Sequence, residues 1–179
     1  MRKLTHGEIV ARRKTHDDLA LAPRNPIYAV CDNIRSIFNV GAIFRTSDGA
    51  LVERLYLTGY TPFPPRKEIE KVALGATSTV PWEYRKTPAE AVSELKAKGV
   101  RIAVLELTDG SRSIWDMKKS EFPMCIVAGN EITGVSGEVI SLADTAFEIP
   151  MMGMKQSLNV SVAYSIAVYE MLRALNGQD

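Results

Sequence analysis

Short, almost continuously apolar runs alternate along the chain with longer segments whose apolar residues recur at helical spacing. Residues 100–107 and 123–129 are the most apolar runs, which is typical of strands covered on both faces of a sheet. Shorter runs of the same kind predict four more strands, at 27–31, 54–59, 81–84 and 147–151.

The segment 87–99 has the clearest helix signals. Thr87 is placed to cap this helix, and Pro88 suits its first position. Glu90 completes a capping box with Thr87, and Gly99 ends the helix. Further helices are predicted over residues 39–48, 68–76 and 159–175.

Two of these helices have features that matter below. Asn39 is the candidate cap of the helix over 39–48, which ends at Gly49 and carries Arg45 in an otherwise apolar run. The final helix has one apolar face, made up of Ala163, Ile166, Ala167, Met171 and Leu175.

Alternation of strands and helices predicts an α/β protein with a mostly parallel sheet flanked by helices. Ligands of such sheets bind beyond the carboxyl ends of the strands. The loops expected to carry a site are therefore those after Cys31, Leu107, Gly129 and Ile149. With 179 residues, the chain fits one domain, 1–179, of which 1–26 form a basic N-terminal extension.

Charge and composition restrict the function only weakly. The net charge is +1 and the hydrophobic fraction is 46%, which are ordinary values for a globular protein. The basic residues Arg12, Arg13 and Lys14 could meet a phosphate backbone, or they could form a solvated helix face.

Cysteine and histidine usage indicates a reducing compartment. Cys31 and Cys125 lie in apolar runs, as expected for reduced core residues. The only histidines are His6 and His16, so no zinc-ligand spacing exists and no metal is expected. No segment has the length and apolarity of a membrane span, and the N-terminus lacks the apolar region of a signal peptide. We therefore expect a cytoplasmic protein without membrane contact.

Several common catalytic motifs are missing from the sequence. No glycine-rich dinucleotide loop follows a strand, and neither a P-loop nor a serine-hydrolase elbow is present. Three other loops combine glycine or small residues with side chains that can orient a polar ligand. These side chains are Asn39 and Arg45 in the first loop, Glu131 in the second, and Ser157 and Asn159 in the third.

Each of these residues also has a purely structural interpretation. Asn39 could simply cap a helix, and Arg45 could be an ordinary surface arginine. Glu131 could complement the dipole of a helix that starts near Ser136.

The third loop leaves the same choice open. Ser157 could cap the final helix, with Asn159 in its first turn, and the glycines Gly129 and Gly134 could serve turn geometry alone. Composition and spacing alone favour these structural interpretations over a ligand site.

Taken together, the three loops resemble the three signature motifs of the SpoU-type (TrmH-like) RNA ribose 2′-O-methyltransferases of the SPOUT superfamily. NVGAIFRTSDG matches the first motif, VAGNEITGVS the second and IPMMGMKQSLNVSVA the third. The segment KVALGA also looks like a family feature. The motifs occur in the family's order and spacing, and the resemblance runs from about residue 27 to the final helix.

The resemblance implies properties that periodicity cannot show. It implies a deep trefoil knot in the C-terminal part of the α/β fold, although knots are rare exceptions to the rules of chain connectivity. It also implies a homodimer and S-adenosylmethionine as the methyl donor. The cofactor-binding residues that it implies are Leu107, Thr108, Gly129, Asn130, Ile149, Met151, Ser157 and Leu158.

The family's catalytic residues correspond here to Arg45, Asn39, Glu131, Ser157 and Asn159. Because a guanidinium with a pKa above about 12 is a poor base at neutral pH, we expect Arg45 to clamp a phosphate and to stabilise the developing alkoxide. Asn39 would then orient the ribose or Arg45, and Glu131 would hold the surrounding network. Ser157 and Asn159 would fix the loop around cofactor and nucleotide.

The expected substrate is RNA, either tRNA, which is slightly favoured, or rRNA. The candidate RNA-binding residues are Arg12, Arg13, Lys14, Arg35 and Arg45. Many relatives carry an extra RNA-binding domain or a strongly basic tail, which we expect this chain to lack. Where some relatives have a histidine or an acidic residue, this chain has Thr77 and Ser78. Two alternatives stay open, a non-catalytic RNA-binding module on the same fold and an unrelated α/β enzyme acting on a small molecule.

Overall fold

Seven parallel strands form one sheet in the computed structural model, which describes residues 1–177. Their order across the sheet is β3-β2-β1-β6-β4-β7-β5. Because every pair is parallel, the carboxyl ends of all the strands lie at the same edge. The strands are β1 (Asn25–Asp32), β2 (Val52–Thr58), β3 (Trp82–Arg85), β4 (Arg101–Leu105), β5 (Arg112–Ser113), β6 (Met124–Ala128) and β7 (Thr145–Glu148).

Helices connect the strands and cover both faces of the sheet. In the described residues they are α1 (His6–Ala11), α2 (His16–Leu21), α3 (Ile37–Gly49), α4 (Lys67–Ala73), α5 (Pro88–Ala97), α6 (Gly137–Leu142) and α7 (Val160–Asn176). Short 3-10 turns occur at Ala76–Ser78, Ile114–Asp116 and Lys119–Glu121. The predicted α/β class and mostly parallel sheet are thus confirmed.

Alternation along the central strands builds two cores. On β6, Met124 and Ile126 face the core shared with α3, α4 and α7. Cys125 and Val127 face the core shared with α5 and α6. Since both sets are fully buried, the strand reads as continuously apolar although its side chains alternate between two layers.

Both cysteines are buried and free, as predicted. Cys31 belongs to the core on one side of the sheet and Cys125 to the core on the other. Burial raises the pKa of both thiols, so they act as small apolar residues.

The two helices that border the site pack unusually closely against their neighbours. A Cβ on Gly41 of α3 would lie 2.7 Å from Cβ of Val72 on α4, so only glycine permits this approach. On the other side of α3, Thr46 shares a hydrogen bond with Ser165 of α7, and Ser47 with Tyr164 of α7. The position of α3 is therefore fixed from both sides.

The four predicted helices correspond to α3, α4, α5 and α7 with ends within three residues, whereas α1 and α2 were not predicted. Thr87 caps α5 by accepting from the N–H of Glu90, and Gly99 follows the helix with φ +77°. The predicted capping box is wrong, because the Glu90 carboxylate accepts from the N–H of Lys86 rather than from that of Thr87.

The final helix buries a slightly different face from the one predicted. Ala167 and Met171 are buried as expected, whereas Ile166 is exposed. The buried residues of α7 are Tyr164, Ala167, Val168, Met171 and Ala174. Within residues 1–177, no helix has both the length and the apolarity of a membrane span.

Candidate active site

A cavity of about 330 Å³ opens at the carboxyl edge of the sheet, between the ends of three adjacent strands. Its walls come from the loops after β4, β6 and β7 and from the start of α7. Seven of the eight predicted cofactor-binding residues line it: Leu107, Gly129, Asn130, Ile149, Met151, Ser157 and Leu158. Thr108 does not line the cavity and instead forms a turn with Ser111.

The loop after β6 is held by side chains from neighbouring strands. Asn130 accepts through Oδ1 from the N–H groups of Ile132 and Thr133, and donates through Nδ2 to the carbonyl of Asn33. Glu106, at the end of β4, accepts from the N–H of Val135 at 3.0 Å. These contacts hold the cavity wall in place.

Gly129 has a packing role in this wall. A Cβ at this position would lie 2.3 Å from the carbonyl carbon of Gly134 and 2.3 Å from the nitrogen of Val135. Both atoms belong to the backbone, which cannot give way as a flexible side chain can. The turn geometry that the sequence suggested for Gly134 is confirmed by its φ of +69°.

Glu131 joins this loop to the N-terminus of α3. Its carboxylate accepts from the backbone N–H groups of Arg35 at 2.8 Å and Ser36 at 2.9 Å. It also accepts from Nδ2 of Asn39 at 2.8 Å. The helix it complements is therefore α3, and the suggestion that it complements the helix beginning near Ser136 is wrong.

These bonds favour the charged carboxylate. Burial raises the pKa of Glu131, but the N–H groups of Arg35 and Ser36 and the amide of Asn39 together lower it more. The net result is a pKa below the ordinary value of 4.5. At neutral pH Glu131 is thus an ionised anchor and not a proton donor.

Asn39 connects the first and third motifs. Its Oδ1 accepts from Nδ2 of Asn159 at 3.2 Å and from Oγ of Ser161 at 3.4 Å. Asn39 is 9% exposed and its side-chain amide is satisfied on both sides. The suggestion that Asn39 caps a helix is wrong: Ser36 caps α3, and Asn39 lies in the first turn.

Asn159 is the N-cap of α7, accepting through its side chain from the N–H of Ser161 at 2.9 Å. Ser157 lines the cavity and does not cap the helix, so that structural suggestion is also wrong. Three of the five predicted catalytic residues, Asn39, Glu131 and Asn159, thus form one hydrogen-bonded cluster beside the cavity.

Arg45 lies apart from this cluster. It follows Asn39 by six residues, which corresponds to about 9 Å along the helix axis and to a different helix face. Its side chain is exposed, lines no part of the cavity, and makes no hydrogen bond or ion pair within residues 1–177. Arg35 is exposed at the beginning of α3, with its backbone N–H on Glu131.

The N-terminal basic residues lie at the end of α1 and in the segment that follows it. Arg12 caps the C-terminus of α1, and both Arg13 and Lys14 are exposed in the link to α2. Among the described residues, no group of three or more histidine, cysteine, aspartate or glutamate side chains could hold a metal ion.

Some residues that shape the site were not found by sequence reasoning. Asp32 is 1% exposed at the end of β1 and accepts from the N–H of Ser136 at 2.7 Å. Glu106 and Tyr60 fix the loop after β6 in the same way. The only signal for Asp32 was a carboxylate that directly follows a buried strand, which by itself does not reveal its partner.

The fold and the cavity define a class of protein: a parallel α/β domain whose ligand site is made of loops at the carboxyl edge of the sheet, bordered by a polar cluster. The sequence profile of the SpoU rRNA Methylase family matches residues 26–169. The chain belongs to this family.

Individual relatives agree with this assignment. The chain is 36% identical over 154 residues to the tRNA (guanosine(18)-2′-O)-methyltransferase of Escherichia coli K12. The match covers 86% of this chain and 66% of that relative, so the chain spans just under two thirds of the relative's length.

Two solved structures share the fold. The TrmH/SpoU tRNA modifying enzyme of A. aeolicus superposes with a TM-score of 0.78 at 34% identity, covering 87% of this chain and 79% of that one. The AdoMet-bound rRNA methyltransferase of Sinorhizobium meliloti gives a TM-score of 0.78 at 26% identity, covering 87% of this chain and 59% of that one.

Proposed function

We propose that the protein transfers the methyl group of S-adenosylmethionine to a ribose 2′-hydroxyl in tRNA or rRNA. The observation that carries the proposal is that the three motif loops converge. The second and third motifs line one cavity, and Asn39 of the first motif bonds to residues of both. The relatives named above act on tRNA and rRNA, and one of them is an AdoMet complex.

The residues of the cavity suit this cofactor. A volume of about 330 Å³ lies within the range of small-molecule sites. The apolar side chains of Leu107, Ile149 and Leu158 can cover a purine, and backbone and amide groups around Asn130 can meet its polar edge. When bound, S-adenosylmethionine would supply an electrophilic methyl group on a sulfonium.

The chain's own residues then have to position the nucleotide and manage charge. The 2′-oxygen gains the methyl group, and the hydroxyl proton leaves to water or to a phosphate oxygen. Arg45 is exposed, so it can reach the RNA backbone, clamp the neighbouring phosphate and stabilise the developing alkoxide. Glu131 and Asn39 set the orientation of α3, which carries Arg45.

Ser157 and Asn159 belong to the same proposal. Ser157 would contact the cofactor from the cavity wall, and Asn159 would hold this wall on Asn39. We further propose that the C-terminal part forms a trefoil knot, that the protein is a homodimer, and that it works in the cytoplasm, where its RNA substrates are made. The family and the shared fold support these proposals.

The test is methyl transfer from labelled S-adenosylmethionine to tRNA and rRNA that lack modifications. Alkali cannot cleave next to a 2′-O-methylated ribose, so the label should appear in alkali-resistant dinucleotides. Arg45→Ala should lose this label. Arg101→Ala is the matched control, because Arg101 is the first residue of β4 and so lies at the amino ends of the strands, away from the cavity at their carboxyl ends.

Three results would change the proposal. Label in alkali-sensitive nucleotides would mean that a base is methylated. Label that persists in Arg45→Ala would keep the reaction but remove Arg45 from its centre. No transfer to either RNA pool, together with tight RNA binding, would favour the non-catalytic RNA-binding module.

A further inference from the structure

Three aromatic side chains are exposed where β2 and β3 end, and two of them, Phe63 and Tyr84, are in contact. The three side chains are Tyr60 (61% exposed), Phe63 (39%) and Tyr84 (38%), which we call the aromatic patch. Tyr60 and Phe63 lie in the loop after β2, and Tyr84 lies on the edge strand β3. Exposed aromatic side chains grouped in this way are costly to leave bare and typically mark a binding surface.

The rings of the aromatic patch are held in place. The Tyr84 hydroxyl donates to the carbonyl of Gly59 at 2.9 Å. The ring centroids of Phe63 and Tyr84 are 4.7 Å apart, and those of Phe63 and Trp82 are 6.5 Å apart. A preorganised aromatic surface loses little conformational entropy when a flat ligand stacks on it.

The aromatic patch adjoins the candidate active site. Nδ2 of Asn130, a residue of the cavity wall, donates to the Tyr60 hydroxyl at 2.7 Å. The same amide donates to the carbonyl of Asn33 at 2.7 Å. A ligand that reaches from the cavity over the end of β1 would therefore meet the patch next.

The charge around the patch favours a polyanion. The segments 33–36, 59–67 and 84–87 comprise the loops after β1, β2 and β3 with the first residue of α4 and the last two of β3. They contain five basic residues and no aspartate or glutamate, and Glu68 and Glu83 adjoin them. The five basic residues are Arg35, Arg66, Lys67, Arg85 and Lys86. Of these, Arg85 forms ion pairs with Glu83 and Glu94. The other four leave a basic rim beside exposed rings, which is the combination that single-stranded nucleic acid binds.

We propose that the aromatic patch stacks an unpaired base of the RNA substrate, close to the nucleotide whose ribose enters the candidate site. This inference rests on the proposed function. RNA is recognised mostly in loops and single strands, where bases can leave the stack and lie on aromatic rings. Stacking requires no particular base, so the patch would select RNA structure more than sequence.

The first test measures the affinity of a short, fluorescently labelled single-stranded RNA by anisotropy. Phe63→Leu keeps the apolar volume but removes the ring, and it should weaken binding by between about fivefold and about a hundredfold, as expected when one base stack is removed. Phe63→Tyr keeps a ring and should retain the affinity. Trp115→Leu is the matched control. Trp115 is a 58% exposed aromatic residue that follows β5, the outermost strand on the other side of the sheet from β3.

A second readout locates the RNA. The two tryptophans are Trp82 and Trp115, so Trp115→Phe leaves Trp82 as the only tryptophan, beside Phe63. Binding of the same RNA should quench the fluorescence of Trp82. Unchanged emission at saturating RNA would place the RNA elsewhere and overturn the inference.

Kinetics separate this inference from the proposed reaction. Phe63→Leu should raise KM for RNA and leave both kcat and the affinity for S-adenosylmethionine unchanged. Methyl transfer with an unaltered KM and RNA affinity would refute the aromatic patch while the proposed function stands. RNA binding that depends on Phe63, in a protein that transfers no methyl group, would refute the reaction and keep the patch.

A last outcome would assign the surface to a protein partner. If Phe63→Leu changes the sedimentation of the protein and not its RNA affinity, the patch is part of an interface between chains and the inference is wrong.

Discussion

The side-chain amide of Asn159 donates to that of Asn39 at 3.2 Å, although 120 residues separate them in the chain. Asn39 in turn donates to Glu131. One residue from each of three separate loops therefore meets in a single polar cluster. None of the three has the structural role that its place in the sequence suggests: Asn39 does not cap α3, Glu131 does not complement the helix near Ser136, and Asn159 caps α7 rather than lying in its first turn.

The hydrogen bond between Asn39 and Glu131 can be tested by exchanging the amide and the carboxylate between the two positions. Asn39→Asp places a carboxylate 2.8 Å from that of Glu131 and removes the donor, which should cost about 1 to 3 kcal/mol of stability. Adding Glu131→Gln should recover part of this loss, because the new amide can donate to Asp. Urea unfolding of the wild type, both single variants and the double variant would measure the coupling. Strictly additive effects would show that the two side chains do not interact.

Glu131 should also make stability depend on pH. Its pKa in the folded protein is lowered, so its stabilising effect is complete above the ordinary value of 4.5 and is lost as the pH falls through the lowered pKa. Because Glu131 is exposed, we expect only about 1 kcal/mol at neutral pH. The difference in unfolding free energy between wild type and Glu131→Gln should shrink on acidification. A difference that stays constant with pH would contradict this.

A single methyl group should distort the cavity. Gly129→Ala brings a Cβ to 2.3 Å from backbone atoms of the facing turn, so we expect a loss of about 1 to 3 kcal/mol and weaker cofactor binding. Gly137→Ala is the matched control, because a Cβ there meets nothing within 4 Å. Thermal unfolding and a titration with S-adenosylmethionine would check both variants. Equal behaviour of the two would show that the loop can relax.

Arg45 should matter for RNA chemistry and not for the cavity. Arg45→Ala should lower kcat for methyl transfer by about a hundredfold, as expected when one donor to a developing charge is removed. Arg45→Lys should restore only part of the rate, because an ammonium lacks the guanidinium fork. Neither variant should change the affinity for S-adenosylmethionine, since Arg45 lines no part of the cavity. A loss of cofactor affinity would contradict the placement of Arg45 outside the cofactor cavity.

The N-terminal basic residues should contribute to the salt dependence of RNA binding. Replacing Arg12, Arg13 and Lys14 with glutamine should weaken binding and reduce the slope of log K against log salt by about 0.7 to 0.9 for each phosphate that is no longer neutralised. The control is Lys118→Gln with Lys119→Gln, at the amino-terminal end of β6. An unchanged slope would make the N-terminal segment a solvated face.

The strands and the position of the site could be predicted because both depend on local patterns. Every strand of four or more residues was predicted, within a few residues of its ends, and β5 was missed because two residues carry no pattern. The rule for parallel sheets points to the loops after Cys31, Leu107, Gly129 and Ile149, which follow the contiguous strands β1, β6, β4 and β7. The loops after β4, β6 and β7 line the cavity, and the loop after β1 does not.

The polar partners could not be predicted, because they depend on which loops meet in space. Asn39 and Ser36 both have capping side chains, and only the observed start of α3 shows that Ser36 is the cap. The sequence pairs Glu131 with the nearest following helix, whereas the fold brings it to α3, whose N-cap Ser36 lies 95 residues earlier in the chain. The same applies to Asp32 and Glu106, whose partners lie in another loop.

The carboxylate of Glu131, which bonds the start of α3 to the loop after β6, has a thermodynamic consequence. Any ligand that shifts this loop must also displace α3. The free energy of binding in the cavity is therefore coupled to the free energy of binding at the surface around Arg45. Linkage then requires reciprocity. By whatever factor a ligand in the cavity changes the affinity for a ligand around Arg45, the ligand around Arg45 changes the affinity for the ligand in the cavity by the same factor.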